Sequence, residues 1–290
     1  MLMRSTAGER APVPKGTLDD FVCPDCKAPL ADLRCVACDR EYRQVDGFPI
    51  LLSGDPRFEA VQATAAVYDE IYRRQQGVWE NQGRTRELIA YFATLLTRFP
   101  SGRFLEIGCG EGFLLTAVRA EERFATDLSV EALRAARART AARFSVALGE
   151  RLPFPDESFD LVASVGVMEH FFDIGEALRE TRRVLRPGGH CIVLTHVELT
   201  LWERLEDKIS AYLFPELRLR ALARWLQTRL IERPRPAALV RQPIQNRYTT
   251  RAARVMLETN GLEVVDVLHT RRRKGLPLVG PWVVIYIARK

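Results

Sequence analysis

The chain has no apolar run long enough to cross a membrane as a helix, and its first residues carry no apolar leader segment. On those two absences the expected compartment is the cytoplasm. Histidine is scarce, with four residues in 290, at positions 170, 190, 196 and 269. A reaction that needs imidazole as its base therefore has few residues to draw on. Cysteine is nearly absent beyond residue 38, where only Cys109 and Cys191 remain, read as a small packing residue and as strand core.

What is present suits a globular protein. A length of 290 residues allows one large domain and a small one, and a hydrophobic fraction of 47% can supply a sizeable core. The net charge of +6 is uneven, since Leu199 to Lys290 holds 18 Lys+Arg against 8 Asp+Glu. That basic third could face RNA, an anionic membrane surface or an acidic substrate, or be a solvated arginine-rich surface. Composition and periodicity divide the chain into a flexible tail (1–16), a cysteine-rich module (17–54) and a helical cap or linker (55–98). A core (99–198), a helical insertion (199–247) and the end of the core (248–290) follow.

In the module, Cys23, Cys26, Cys35 and Cys38 form two C-x-x-C pairs separated by eight residues. Four thiolates on two tight turns suit tetrahedral Zn2+ as a structural metal, with a redox pair or chance clustering as alternatives. So short a segment cannot bury a core of its own, and metal binding would supply much of its folding free energy. Asp46-Gly47 reads as a hairpin turn ahead of a strand. From Leu18 to Leu52 the segment resembles the zinc-ribbon module of the small activator subunit that partners several tRNA and protein methyltransferases. It is also similar to ribbons fused to certain rRNA methyltransferases. Packing of this ribbon on the catalytic domain is expected ahead of direct RNA contact.

Phe104 to Leu115 reads FLEIGCGEGFLL, a short apolar run that breaks into Gly108, Gly110 and Gly112 before apolar periodicity resumes. This is the pattern of a buried strand, a tight turn and a helix start. Glycines let backbone approach a ligand, and a helix N-terminus leaves N–H groups free. Glu106, two residues before the first glycine, would oppose a pyrophosphate and suits a ligand with positive charge. Asp127 ends the next apolar run, where folds of this kind bind a ribose hydroxyl. The stretch resembles motif I of the class I S-adenosylmethionine-dependent methyltransferases. Their methyl donor carries a sulfonium, an amino group and a ribose, and no phosphate.

Two later stretches extend the resemblance over Gly102 to Val197: ERLPFPDESFDLVASVGVMEHFFD from Glu150 and RVLRPGG from Arg183 to Gly189. It implies an α/β fold, a Rossmann-like doubly wound and mostly parallel seven-stranded sheet. The small N-terminal zinc ribbon and a helical insertion after strand five complete the expected architecture. It also implies S-adenosyl-L-methionine contacts from Glu106, Gly108, Cys109, Gly110, Asp127, Leu128, Gly149, Glu150, Ser164 and Val165. One departure stands out: the family's usual adenine-binding Asp is replaced by Leu148. Adenine recognition then falls to backbone near Gly149, to Glu150 or to apolar packing by Leu128.

Strands are expected at Arg103 to Ile107, Phe124 to Thr126, Phe144 to Leu148, Phe159 to Val165 and His190 to Thr195. An antiparallel edge pair is expected from Leu262 to His269 and Trp282 to Ala288. Helices are expected from Gly112 to Arg119, after Ser129 and after Asp173, and the last should stop at RVLRPGG. Leu201 to Ile231 reads as a basic amphipathic helix, either an acceptor lid or a membrane-surface element. Tyr68 and Tyr72 recur at helical spacing and either line the site or sit in the core.

Methyl transfer is an in-line displacement that depends on positioning and exclusion of water. A phenol or alcohol acceptor needs a general base, whereas an amine needs only to be neutral. His170, beyond the fourth strand, and His196, at the end of the fifth, are the candidates for that base. The leading expectation is methyl transfer to O, N or C of a small-molecule or lipid-like acceptor. The alternatives are an rRNA or tRNA methyltransferase using the ribbon and basic third, and a non-catalytic binding protein on the same fold.

Overall fold

A computed structural model describes residues 18–74, 83–99, 102–198, 244, 246–269 and 283–290. The helical insertion expected at 201–231 and the basic loop 271–274 lie outside the described residues. No helix among those described is long and apolar enough to cross a membrane.

The strands of the core are β5 (Arg103–Ile107), β6 (Glu122–Asp127), β7 (Arg143–Val146), β8 (Phe159–Val165), β9 (Leu185–Glu198), β11 (Glu263–His269) and β12 (Val283–Arg289). They lie in the order β11-β12-β9-β8-β5-β6-β7. β5 pairs in parallel with both β6 and β8, while β12 runs antiparallel between β9 and β11. The central strands are buried on both faces, so they read as nearly continuous apolar runs. Phe104 and Leu161 face one core layer, and Leu105, Ile107 and Val162 face the other. This is the expected seven-stranded sheet. Of the last two strands only β11 is at the edge.

The N-terminal module brings four short strands: β1 (Leu30–Ala31), β2 (Arg34–Cys35), β3 (Arg43–Val45) and β4 (Phe48–Ile50). β1 and β2 pair in the ribbon. β3 and β4 form a hairpin around Asp46 and Gly47, and β4 continues the main sheet beyond β7 through Ile50 and Val146. Leu51 N–H donates to the Val146 carbonyl at 2.8 Å. The ribbon also docks through Phe21 against Phe154, ring centroids 5.4 Å apart, and through Val22 N–H to the Pro153 carbonyl at 3.0 Å. Lys27 reaches Glu180 at 2.8 Å. The module is thus continuous with the sheet and shares its core.

The helices are α1 (Val61–Arg74), α2 (Gly83–Leu96), α3 (Phe113–Ala117), α4 (Val130–Arg139), α5 (Ile174–Val184) and α6 (Thr250–Thr259). Their starts follow side-chain capping: Ser129 accepts from Ala132 N–H, Asp173 from Glu176 N–H and Thr249 from Ala252 N–H. Ala132, Leu133 and Ala136 are fully buried under α4. α3 is shorter than the expected Gly112 to Arg119, because Gly112 stands outside it as a left-handed N-cap and Val118 is already extended. α5 ends at Val184, and the residues after it enter β9 directly. β9 is therefore longer than the expected His190 to Thr195, since Leu185 pairs with Phe159. After the insertion, β10 (Tyr248–Thr249) pairs in parallel with the end of β9 at Val197 and Glu198.

Candidate active site and metal centre

The carboxyl ends of β5, β6 and β8 gather the expected donor site. In the turn after β5, Gly108 has φ +68° and Gly112 +76°. A Cβ at Gly108 would lie 2.5 Å from Val167, and one at Gly112 2.8 Å from the Ala136 Cβ. Both positions need glycine for conformation and for space. Asp127 ties this turn to the next: one carboxylate oxygen accepts from Gly110 N–H at 2.8 Å and the other from Ser129 N–H at 2.9 Å. Cys109 is buried, which suits the packing role expected for it.

Glu106 is buried, and its Oε2 has no hydrogen-bond partner. Burial, and then the charge of Asp127, push its carboxyl well above the usual range. Burial also pushes Asp127 up to about 6, against the pull of the Ser129 and Gly110 amides. Ser164, at the end of β8, is a second buried orphan, and Val165 beside it is half-buried. Two crowded carboxyls and an unpaired hydroxyl fit a ligand that brings a cation and hydroxyl donors. S-adenosylmethionine meets that description. It supplies an electrophilic methyl group; Glu106 and Asp127 would hold its cationic and ribose ends.

A pH prediction follows. Between the unfolded carboxyl range near 4 and about 6, the folded apo-protein holds a proton on Asp127 that the unfolded chain lacks. Through that window, rising pH lowers the contribution of Asp127 to stability. A cationic ligand favours the ionised form, so binding should release protons and weaken by up to about tenfold per pH unit below about 6. Calorimetric titration at pH 6 in buffers of different ionisation enthalpy measures this, and binding without proton release would contradict it.

Helix α1 roofs this turn. Asp69 Oδ1 accepts from Ser129 Oγ at 2.6 Å and from Glu131 N–H at 3.2 Å, and Arg73 pairs with Glu131 at 3.2 Å. Tyr72 then lies over Gly110, where a Cβ would sit 2.9 Å from its hydroxyl. Tyr68 packs edge-on against His170, centroids 6.5 Å apart. Burial raises the Tyr68 phenol, and the negative charges of Asp127 and Glu169 add to it.

The end of β7 is apolar. Leu148 is buried with Phe58 and Val61, and Leu52, Leu128 and Phe172 pack against them. A Cβ at Gly149 would fall 2.4 Å from the Phe171 ring. Glu150 is buried, and its Oε1 accepts from Phe172 N–H at 2.6 Å and Asp173 N–H at 3.2 Å. Its carboxylate braces the loop after β8 and α5's start.

The two candidate bases, His170 in that loop and His196 in β9, have different partners. His170 Nδ1 is 2.7 Å from the Ile244 carbonyl. His196, at the end of β9 with its side chain 55% exposed, places Nδ1 2.6 Å from Glu169 Oε1. Glu169 is buried, and its other oxygen accepts from Thr195 Oγ1 at 3.1 Å. Asn246 holds the loop from the far side, donating from its backbone to Glu169 O at 2.7 Å and from its side chain to Phe171 O at 2.8 Å. Asp69 and Asn246 carry no local signal in the sequence, and Glu169 shows there only as the neighbour of His170, because each acts on a partner at least 27 residues away.

In the ribbon, the Sγ atoms of Cys23, Cys26, Cys35 and Cys38 all lie within 4.8 Å of one another. Cys26 and Cys35 are 3.3 Å apart and Cys23 and Cys38 3.7 Å. Tetrahedral zinc with ~2.3 Å bonds spaces its sulfurs by roughly 3.8 Å. The two turns are built alike: Lys27 N–H donates to Cys23 O and Asp39 N–H to Cys35 O, at 2.9 and 3.1 Å, with both residues at positive φ. The Tyr42 hydroxyl lies 3.1 Å from Cys23 Sγ. Four converging thiols with an outer donor fit a zinc ion.

Residues 105–193 match a family model described as a methyltransferase domain. That span runs from the glycine turn through the paired ends of β8 and β9, and the chain is an S-adenosylmethionine-dependent methyltransferase. The ubiquinone/menaquinone biosynthesis C-methyltransferase UbiE of Burkholderia mallei is 28% identical over 176 residues, covering 57% of this chain and 69% of that one. Among solved structures, an S-adenosylmethionine-dependent methyltransferase of Thermotoga maritima aligns with a TM-score of 0.51 at 18% identity, over 78% of this chain and 99% of that one. The cyclase SpnF aligns with a TM-score of 0.56 at 15% identity, over 79% and 96%. These two structures establish the fold.

Proposed function

We propose that the enzyme methylates a small-molecule acceptor enclosed beside the loop after β8, and that the ribbon holds a structural zinc. The observation that carries the first part is the roof formed by α1, pinned by Asp69 to Ser129 and set over Gly110 by Tyr72. An acceptor reaching the donor site passes beneath this helix, beside Tyr68, His170 and His196, which suits a molecule of side-chain dimensions. The similarity to an enzyme named for quinone biosynthesis supports an acceptor of ring type. The RNA reading uses the ribbon together with the basic C-terminal third, and the membrane reading uses the basic insertion; most of those basic residues lie outside the described ones.

Labelled S-adenosylmethionine and purified protein, added to an extract of a strain lacking the gene, separate these classes. Label should enter the small-molecule or lipid fraction; label confined to RNA would overturn the assignment. For the metal, the purified protein should carry about one zinc per chain.

A further inference from the structure

We propose that Glu169 is a positioning residue that fixes His196 as the base for an acceptor hydroxyl, so that the enzyme takes substrates with an ionisable O–H, a phenol or an enol. The proposal rests on the small-acceptor reading above and narrows it.

Glu169 is 5% exposed and lies 2.6 Å from His196 Nδ1. Burial alone would raise its carboxyl, but the hydrogen bond and charge of His196 hold it below the usual range, so it is a carboxylate. A carboxylate accepts only, and Nδ1 must therefore carry the hydrogen. In the neutral imidazole the lone pair is then left on Nε2, which has no partner among the described residues, on a ring whose side chain is 55% exposed. Thr195 Oγ1 donates to the second carboxylate oxygen and completes the brace.

The other titratable groups around this pair are Tyr68 on α1, His170 on the same turn and Tyr248 on β10. The first and last each sense the charge of Glu169, and Glu169 senses His170. β8 and β9 pair in parallel at Ser164 with Val193 and Val165 with Leu194, which puts the Glu169–His196 pair at the same sheet end as the donor site.

The chemistry balances without a further reagent. The acceptor oxygen, or the ring carbon conjugated to it, bonds to the methyl carbon. The carbon–sulfur bond breaks with its electron pair on sulfur, and the O–H proton passes to Nε2. The imidazolium so formed is stabilised by the Glu169 carboxylate. A neutral amine acceptor would have no use for this arrangement.

Nitrogen-15 NMR of histidine-labelled protein reads the tautomer directly. His196 should carry its proton on Nδ1 in the wild type, and Glu169→Gln should lose that preference; an Nε2–H tautomer in the wild type overturns the proposal. Methyl transfer is then followed with catechol, hydroquinone and benzylamine as probes. His196→Ala should lower transfer to the hydroxyl probes by about 10²–10⁴-fold, Glu169→Gln should fall between, and added imidazole should restore His196→Gly in part. S-adenosylhomocysteine affinity should be unchanged in all three. Transfer to benzylamine alone, or to no hydroxyl probe, overturns the dyad while leaving the donor site standing. Failure of the wild type to bind S-adenosylhomocysteine overturns the underlying reading instead.

Discussion

Asp127→Ala should lower S-adenosylmethionine affinity by about 100-fold or more. Its two oxygens accept from Gly110 and Ser129 N–H, so the carboxylate sets the spacing between the β5 and β6 turns. The resemblance to the methyltransferase motif also implies that it accepts a ribose hydroxyl, and this variant tests that role. Hydrogen bonds to a charged group contribute about 1.5–3 kcal/mol each, and losing two gives roughly 10²–10⁴-fold. Asp127→Asn is the sharper control, because an amide keeps the size but turns a donor toward one of the two N–H groups. Calorimetric titration of the variants checks this. An unchanged affinity in Asp127→Ala would show that the donor site lies elsewhere.

Cys35→Ser should release the metal and lower the melting temperature by about 10 °C or more. Cys35 is 1% exposed, and its sulfur accepts from the N–H groups of Ala37 and Cys38 at 3.5 Å each. A serine hydroxyl lacks the reach and softness of the thiolate, and three ligands hold zinc less tightly than four. The effect should spread beyond the ribbon. Loosening it frees Phe21 from Phe154, and the β3–β4 hairpin from the edge at β7. Leu52, Phe58 and Val61 follow directly in the chain and pack on Leu148 and Leu128, so donor binding should weaken as well. Metal analysis with thermal unfolding tests the point; a metal-free variant that melts with the wild type would contradict it.

The parts of the molecule legible in the sequence are those set by short-range rules. Gly108, Gly110 and Gly112 announce the turn because positive φ is needed at each, and Ser129 and Asp173 announce α4 and α5 as caps. The two C-x-x-C turns are equally local. The joining of β4 to β7 was not legible, since one parallel pairing, Ile50 with Val146, leaves no periodic trace. RVLRPGG reads as a stop for α5, yet Leu185 already pairs with Phe159, because an extended proline is compatible with a strand entry. Glu150 reads in sequence as a candidate for adenine recognition. Its partners, Phe172 and Asp173 N–H, come into reach only when α5 folds back beside it. The Glu169–His196 pair is of the same kind: both residues are visible, and only the adjacency of β8 and β9 brings them together.

Titration of the wild-type protein with S-adenosylmethionine by calorimetry near pH 6 is the most direct test of the assignment. Saturable one-to-one binding accompanied by proton release is expected, with S-adenosylhomocysteine, which lacks the sulfonium charge, releasing less. No binding of either compound by metal-replete protein would contradict a methyltransferase site at Glu106 and Asp127.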